Sequence, residues 1–227
     1  PGVYNKATGA GFGAQWAQPG KKGGFVAGVN YVAQNGNDSS KGEFDQTGAL
    51  NTLAQIGYRT PQAGIAFGYR YGTEGTRVRT FNAIAGGSGA LAPGQTSNGY
   101  AINAYWQPKT SSIIPSVSVA YGWNNVSLNA SGKTTPNGAT NSETWMAGLQ
   151  WSDVFAKGNA AGFAIGAPGN AASLASDKDA LMWEAFYRYK VSDNVSITPA
   201  VFYVSNNQSF KDASSNYGGV IQTTFKF

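Results

Sequence analysis

The chain has 227 residues, a formal net charge of +5, 31 glycines and only 12% charged residues. Cysteine and histidine are both absent, which excludes disulfide frameworks, thiolate zinc sites, Ser-His-Asp triads and histidine-bound metals. No apolar stretch reaches the length of about 18 residues that a transmembrane helix needs. The basic residues are too scattered to predict a phosphate-binding surface. We therefore expect no metal, no cofactor and no nucleic acid.

In chain order, eleven segments alternate apolar residues with small or polar ones, which is typical of β-strands with one apolar face. In the first segment, Phe12, Ala14 and Trp16 share one face, and two glycines and a glutamine take the other. The sequence therefore predicts an all-β, antiparallel protein. The predicted strands lie near residues 10–17, 25–32, 53–60, 65–72, 100–107, 116–124, 144–151, 162–166, 181–190, 195–203 and 217–227.

This alternation fits two architectures. In a soluble β-sandwich the apolar face is the core, whereas in an outer-membrane β-barrel it meets lipid and the other face lines the lumen. The lengths of the connections favour the barrel, in which short periplasmic turns alternate with long outer loops. The short connections are predicted at 18–23, 61–64, 108–115, 153–158 and 191–194, and the long ones at 35–47, 73–98, 129–141, 168–178 and 207–214.

Tryptophan and charge placement also favour the barrel. No charged residue falls in the middle of an apolar face. Glu143 and Asp179 alternate in step with the apolar residues, but both lie at the ends of strands, next to the outer loops. A basic residue that faces lipid at mid-depth costs roughly 2–4 kcal/mol. All six tryptophans have the parity of the apolar face, and most lie near strand ends, where a membrane girdle is expected. They are Trp16, Trp106, Trp123, Trp145, Trp151 and Trp183.

The carboxyl terminus carries Phe225 and Phe227 on the last predicted strand. This ending resembles the signal through which bacterial outer-membrane proteins engage the barrel-assembly machinery from the periplasm. Counting back through alternating turns places the first strand's start on the outer side, whereas single-chain bacterial barrels have an even number of strands. We therefore expect residues 1–227 to be the C-terminal part of one barrel domain. About 16 strands are expected in the full chain, with the N-terminal strands upstream.

A specific family resemblance appears in the second half of the chain. Residues 145–168 read Trp145-x-x-x-Leu149-x-Trp151-x-Asp153-x-Phe155-x-x-Gly158-Asn159-x-x-Gly162-x-x-x-Gly166-x-Pro168. This pattern resembles cyanobacterial porins of the carbohydrate-selective OprB family, which are associated with surface-layer-homology domains. Residues 184–189 and 193–199 resemble the same family, and residues 56–58 and 67–71 do so more loosely.

The resemblance implies a passive diffusion porin in the outer membrane of a Gram-negative bacterium, a cyanobacterium. It also implies a homotrimer surrounded by outer-membrane lipid. Relatives commonly carry a signal peptide and an N-terminal domain that binds peptidoglycan, so contact with peptidoglycan is expected only through such a domain. Some relatives are assigned to carbohydrate and others to iron uptake, and the motifs do not identify the solute.

The charged residues with the parity of the opposite face are the pore-lining candidates, and their charges sum to +4. A cationic lumen favours anions, so we expect passive diffusion of small hydrophilic solutes and inorganic ions, with a modest preference for anions such as phosphate, nitrate or bicarbonate. The alternative is that these side chains are only solvated parts of the wall, with Glu184 paired to Arg188. The candidates are Arg59, Arg70, Glu184, Arg188, Lys190 and Lys226.

The longest predicted connection, 73–98, carries Glu74, Arg77 and Arg79. It is either a constriction loop folded into the pore or a surface loop shared with a neighbouring subunit. Enzyme activity is not expected, and no catalytic residue is assigned, because histidine is absent and Glu184 is the one lumen carboxylate on the predicted strands. The remaining alternative is a plugged structural barrel that anchors the outer membrane to the cell wall.

Overall fold

The computed structural model describes residues 9–20, 22–40, 48–76, 91–109, 113–127, 141–171, 180–205 and 215–226. Within these ranges eleven antiparallel strands form one sheet, as the alternation predicts, and there is no α-helix. None of the described residues belongs to a helix that is long and apolar enough to cross a membrane. The strands are β1 (Ala10–Ala17), β2 (Gly24–Ala33), β3 (Leu50–Arg59), β4 (Ala63–Gly72), β5 (Ser97–Trp106), β6 (Ser116–Val126), β7 (Asn141–Ser152), β8 (Ala160–Ala171), β9 (Leu181–Lys190), β10 (Val195–Ser205) and β11 (Asn216–Phe225).

Each strand pairs with its neighbours in the chain, so the order of the sheet is the order of the sequence. The registers keep the alternation of adjacent strands in step, as when Phe12 lies opposite Tyr31 and Ile56 lies opposite Phe67. Side chains directly opposite each other in a ladder point to the same side of the sheet. The apolar sides of all eleven strands therefore form one continuous surface, which we call the outer face. The opposite surface is the inner face.

The outer face is apolar and uncovered. Ile221 on this face is 74% exposed and Phe12 is 64% exposed, whereas the buried hydrophobic residues are mostly alanines. A soluble sandwich covers its apolar face with a second sheet. The described part of the chain forms a single layer, which excludes the sandwich. Burial of this face has to come from an apolar surrounding such as lipid.

The alternation of short and long connections is confirmed. At one end of the sheet the strands are joined by 18–23, 60–62, 107–115, 153–159 and 191–194, and we call this the short-turn end. The opposite, long-loop end carries 34–49, 73–96, 127–140, 172–180 and 206–215. The tightest turn is held by Thr60, whose hydroxyl accepts a hydrogen bond from the Ala63 amide (2.9 Å) while the Thr60 amide donates to the Ala63 carbonyl (2.7 Å).

Strand β8 continues past the predicted end at residue 166, because a bulge accommodates a proline. The register shifts between Glu143 and Trp145, so that Pro168 and Gly169 lie opposite the single residue Thr144. Pro168 has no amide hydrogen for the ladder. The Thr144 hydroxyl donates instead to the Ala167 carbonyl (2.8 Å), and strand pairing resumes at residue 170. The predicted loop at 168–178 is therefore wrong in its first four residues.

Glycines on the inner face leave space for aromatic rings of the neighbouring strand. A Cβ atom on Gly162 would lie 2.2 Å from a ring carbon of Phe186, and one on Gly64 would lie 2.5 Å from a ring carbon of Tyr105. These rings therefore lie against the wall over the glycine backbone. The arrangement keeps the inner face open even where it carries large side chains.

Candidate functional site

The inner face of β9–β11 holds a groove of about 810 Å³ at the short-turn end. Most of its lining residues alternate along the three strands with outer-face residues, as the parity argument predicts. Polar side chains from neighbouring strands meet in the groove because Ser196 lies opposite both Lys190 and Thr224, and Thr198 lies opposite Gln222. Four of the predicted pore-lining residues line it, namely Glu184, Arg188, Lys190 and Lys226.

Glu184 and Arg188 do not neutralise each other. They lie four positions apart on the extended strand β9, which separates their Cα atoms by about 13 Å. Both side chains are exposed, and neither forms an ion pair within the described part of the chain. The alternative in which these two residues are simply paired is therefore wrong. Arg188 keeps its positive charge available to the groove.

Lys190 is paired, and its partner lies in the turn. The Lys190 ammonium donates to Asp193 Oδ1 at 2.5 Å, with the aspartate side chain 90% exposed. This hydrogen bond, with the charge of the ammonium, holds the pKa of Asp193 below its usual value. The strand parity missed Asp193 because the residue belongs to a connection. The pair removes one cation from the predicted lumen surplus.

Lys226 is positioned by the same turn. Its backbone amide donates to the Asn194 carbonyl (2.9 Å), and the Asn194 side-chain amide donates to the Lys226 carbonyl (2.8 Å). Both hydrogen bonds use the Lys226 backbone, and the exposed ammonium forms no ion pair within the described residues. It is available, together with Arg188, to act on ions in the groove.

The other two predicted cations lie elsewhere on the inner face. Arg59 is the last residue of β3, exposed, at the short-turn end and six strands away from β9. Arg70 on β4 points to the same face but is only 3% exposed. Its Nε donates to Asn51 Oδ1 (3.0 Å) and one terminal nitrogen lies 3.5 Å from the Ser97 hydroxyl. Arg70 is therefore a buried, hydrogen-bonded cation and not a solvated one.

Arg70 is buried next to a hydrogen-bonded structure that we call the loop stem, formed by residues 73–76 and 91–96. Leu91 donates to the Thr76 carbonyl (3.0 Å) and accepts from the Gly75 amide (2.9 Å), which joins the two halves. A Cβ atom on the inner-face residue Gly72 would lie 2.7 Å from the Thr76 hydroxyl and 3.1 Å from an Arg70 nitrogen. The stem therefore folds over the inner side of the wall.

The stem is also tied to its neighbours. Glu74 accepts from the Gly94 amide (2.7 Å), so this predicted constriction residue holds the stem together. The Gln95 side-chain amide donates to the Ser127 carbonyl at the next loop (3.3 Å), and Gln95 is fully buried. Arg77 and Arg79, the other two candidates of this loop, lie outside the described residues.

Below the stem, the inner face carries buried polar residues that strand parity did not single out. Asn124 is 5% exposed, and neither atom of its side-chain amide has a hydrogen-bond partner among the described residues. It lies opposite Gly99 and Ser142, and Gly99 in turn lies opposite Arg70. The two-residue period gives the face of a residue but not its depth of burial, so it could not reveal this group.

The six tryptophans all lie on the outer face and fall near both ends of the strands. Trp16, Trp106 and Trp151 are near the short-turn end, and the remaining three are toward the long-loop end. Trp183 stacks on Tyr203 with ring centroids 6.1 Å apart. Trp123 lies three residues before the end of β6, and Trp145 lies four residues after the start of β7. Phe225 also lies on the outer face, opposite Val195, and Phe227 lies outside the described residues.

Comparison with known sequences decides the family. Residues 1–227 match the carbohydrate-selective porins of the OprB family. The chain belongs to the OprB family. Similar proteins occur in cyanobacteria: an uncharacterized protein of Synechocystis sp. is 29% identical over 225 residues, covering 88% of this chain and 40% of that protein. An uncharacterized protein of Nostoc sp. is 26% identical over 215 residues, covering 88% of this chain and 36% of that protein.

Solved porin structures share the fold. Pseudomonas putida OprB at high pH has a TM-score of 0.57 at 9% identity, covering 95% of this chain and 58% of that one. Salmonella typhi OmpF in complex with daunomycin has a TM-score of 0.56 at 12% identity, covering 88% and 56%. The predicted fold class, an antiparallel transmembrane β-barrel, is thereby confirmed. This OprB-family chain spans about two-fifths of the length of the curated relatives it matches.

Proposed function

We propose that this chain forms part of the wall of a water-filled outer-membrane channel for passive diffusion of small hydrophilic solutes and inorganic ions. The observation that carries the proposal is the single-layer sheet, whose outer face is apolar and exposed while its inner face is polar. Such a sheet is stable when lipid covers one face and water the other. Membership of the OprB family supports the same function.

We further propose that the channel wall is completed by strands outside residues 1–227. Strands β1 and β11 each pair with one described neighbour, which leaves two sheet edges. Unpaired edge groups are costly in lipid, so the edges need partners. The greater length of the relatives supports additional strands in the same barrel domain. An outer membrane of cyanobacterial type, a homotrimer and assembly through the C-terminal strand with Phe225 belong to this proposal.

The charges of the described inner face support a mild anion preference. Arg59, Arg188 and Lys226 are exposed and without an ion-pair partner in the described part of the chain, against the single exposed carboxylate of Glu184. Lys190 is neutralised by Asp193, and Arg70 is buried. The surplus is smaller than the strand parity predicts, yet it retains a positive sign at the short-turn mouth. Exposed cations in a water-filled pore raise the local concentration of anions.

The proposal is tested by planar-bilayer conductance of the full-length protein under a KCl gradient. Large ohmic steps with a reversal potential on the anion-selective side are expected. Conductance close to zero would favour the alternative, a plugged barrel that anchors the outer membrane to the cell wall. Large steps without ion preference would retain the channel and reject the role of the inner-face cations.

Removing the partner of Lys190 is expected to strengthen anion preference. In Asp193→Asn, the ammonium loses its counter-charge, so the reversal potential at pH 7 should move further toward that of chloride. In the unmodified protein Asp193 has a lowered pKa, so it stays ionised and the pair persists as pH falls, until acid below the usual aspartate range protonates it. Protonation of Asp193 in strong acid should therefore shift the reversal potential of the unmodified protein toward that of chloride. The Asp193→Asn variant should lack this acid-induced shift, because it has no carboxylate at this position.

We also propose that the connection from 73 to 96 narrows the channel, because its stem folds over the inner side of the wall beside Gly72 and Arg70. Replacing residues 78–89 by a short Gly-Ser linker, with the stem intact, is expected to increase single-channel conductance. Glu74→Gln, which keeps the segment's length, serves as a control for stem chemistry. Unchanged conductance in the shortened variant would support the surface-loop alternative.

A further inference from the structure

The turn between β7 and β8 contains most of the polar part of the sequence pattern found at 145–168, and the channel function leaves its role unexplained. Asp153 Oδ1 accepts from the Gly158 amide (2.6 Å), and the Asp153 amide donates to the Asn159 carbonyl (2.8 Å). Asp153 and Phe155 have φ angles of +58° and +63°, in the left-handed region. Aspartate adopts this region readily, whereas a bulky residue such as phenylalanine rarely does, so the strain lies at Phe155. The turn is thus tightly built and strained.

The strained turn exposes the side chain of Phe155 on the surface of the protein. Its side chain is 95% exposed, and its ring lies 6.0 Å from that of Tyr187, which is an outer-face residue of β9. The Tyr187 hydroxyl donates to the Val154 carbonyl (3.2 Å) and accepts from the Asn159 side chain (2.8 Å), which fixes the turn against the outer face. Phe155 therefore lies on the outer side of the wall, just beyond the strand ends.

The neighbouring turn, between β5 and β6, presents apolar side chains in the same way. Ile113 is 93% exposed and Ile114 is 59% exposed. The Ile113 carbonyl accepts a hydrogen bond from the indole nitrogen of Trp151 (2.9 Å), an outer-face residue of β7. This turn is therefore held to the outer side as well. We call Ile113, Ile114 and Phe155 the ledge.

Each of these two turns also contains an exposed lysine. Lys109 lies in the turn between β5 and β6, and Lys157 lies in the turn between β7 and β8. Asp153, the acidic residue of these turns, uses its carboxylate within the turn. Apolar side chains beside lysines suit the boundary between acyl chains and phosphate headgroups, where the apolar parts enter the acyl region and the ammonium groups meet phosphate. The ledge is also continuous with the apolar outer face through Trp151 and Tyr187.

We propose that the ledge is an interfacial anchor that binds anionic phospholipid in the leaflet at the short-turn end. Phe155, Ile113 and Ile114 insert below the headgroups, and Lys109 and Lys157 contact lipid phosphates. The turn at 60–62, which reads Thr-Pro-Gln, has no large apolar or charged side chain, so the anchor is not a feature of every short turn. The proposal requires a lipid-embedded wall but not an open or anion-selective pore.

The test uses the full-length protein with a single nitroxide label in vesicles of phosphatidylethanolamine and phosphatidylglycerol. Ala156→Cys carries the label beside Phe155 and leaves the ring in place. Ser192→Cys is the matched control, because it is exposed at the same end but lines the groove. Collision rates with oxygen and with a water-soluble nickel complex report depth. We expect an oxygen-to-nickel ratio several-fold higher at 156 than at 192, and a fall toward the control value when Phe155→Ser is added.

Two further measurements test the role of lipid charge and the possibility that a second copy of the chain covers the ledge. Replacing phosphatidylglycerol by phosphatidylcholine should lower the ratio at 156, and Lys109→Gln with Lys157→Gln should abolish that dependence. Nickel access at 156 equal to that at 192 would overturn the proposal. So would protection from both reagents with dipolar broadening between labels, since that result indicates a second copy of the chain on the ledge. Conductance of the same samples separates loss of the anchor from failure of the channel.

Discussion

Replacing Ile102 by arginine is expected to destabilise the protein in a bilayer, lowering its free energy of unfolding by about 2–4 kcal/mol. Ile102 is near the centre of β5 on the outer face, opposite Phe67 and Tyr121. Arginine at this position would place a guanidinium at mid-depth in lipid, far from either headgroup region. Its side chain would have to reach along an apolar wall to find water or phosphate. Denaturant titration of the full-length protein in vesicles, followed by tryptophan fluorescence, measures the loss.

Asn103→Arg is the matched control. Asn103 is the next residue on the same strand, exposed on the inner face, and its ladder partners Ala66 and Ala120 are small. An arginine there would enter water, so the folding free energy should change by no more than about 0.5 kcal/mol. Equal losses for the two variants would contradict the assignment of faces. A larger loss for Asn103→Arg would show that the inner face is the one covered by apolar material.

Reversing the charge of Arg188 and Lys226 together to glutamate is expected to lower the anion-to-cation permeability ratio by at least about threefold. A unit charge about 6 Å from a permeating ion in water contributes on the order of 0.7 kcal/mol, or about threefold in local ion concentration. Both residues are exposed in one groove and neither is paired within the described residues. The reversal potential under a KCl gradient measures the change.

The control for this experiment removes a pair and keeps the net charge. Lys190→Gln combined with Asp193→Asn eliminates the ion pair of the adjoining turn and leaves the sum of charges in the groove unaltered. The reversal potential should then stay close to that of the unmodified protein. If Arg188→Glu with Lys226→Glu has no more effect than this control, ion selectivity is set elsewhere in the channel.

Strand positions and faces were predictable because the two-residue period is a local property. Each apolar residue between two small or polar ones specifies its own side of the sheet, and a slip by one residue would reverse all of them. The eleven strands, including the long strand β6 with Tyr121 on its outer face, follow from this rule. The error at Pro168 arose because a bulge is a property of two strands, and the Thr144 hydroxyl on the partner strand bonds to the Ala167 carbonyl at the bulge.

The candidate site was predictable only in part. Parity correctly placed Arg188 and Lys190 on the inner face, yet it carries no information on connections or on depth of burial. Asp193, which neutralises Lys190, lies in a turn with no period. Arg70 has the same parity as Arg188 but is covered, because the loop stem returns from beyond the strand end.

The sequence by itself determined the strand count, the face of each strand, the alternation of short and long connections and the family, since all of these are written in the order of residues along the chain. The tertiary structure decided which inner-face charges meet water, which are paired and which are buried. It also decided that Phe155 lies against Tyr187 on the outer side. These outcomes depend on contacts between residues far apart in the chain, such as Trp151 with Ile113. Local pattern specifies the wall, and packing across turns and strands specifies which of its groups can act.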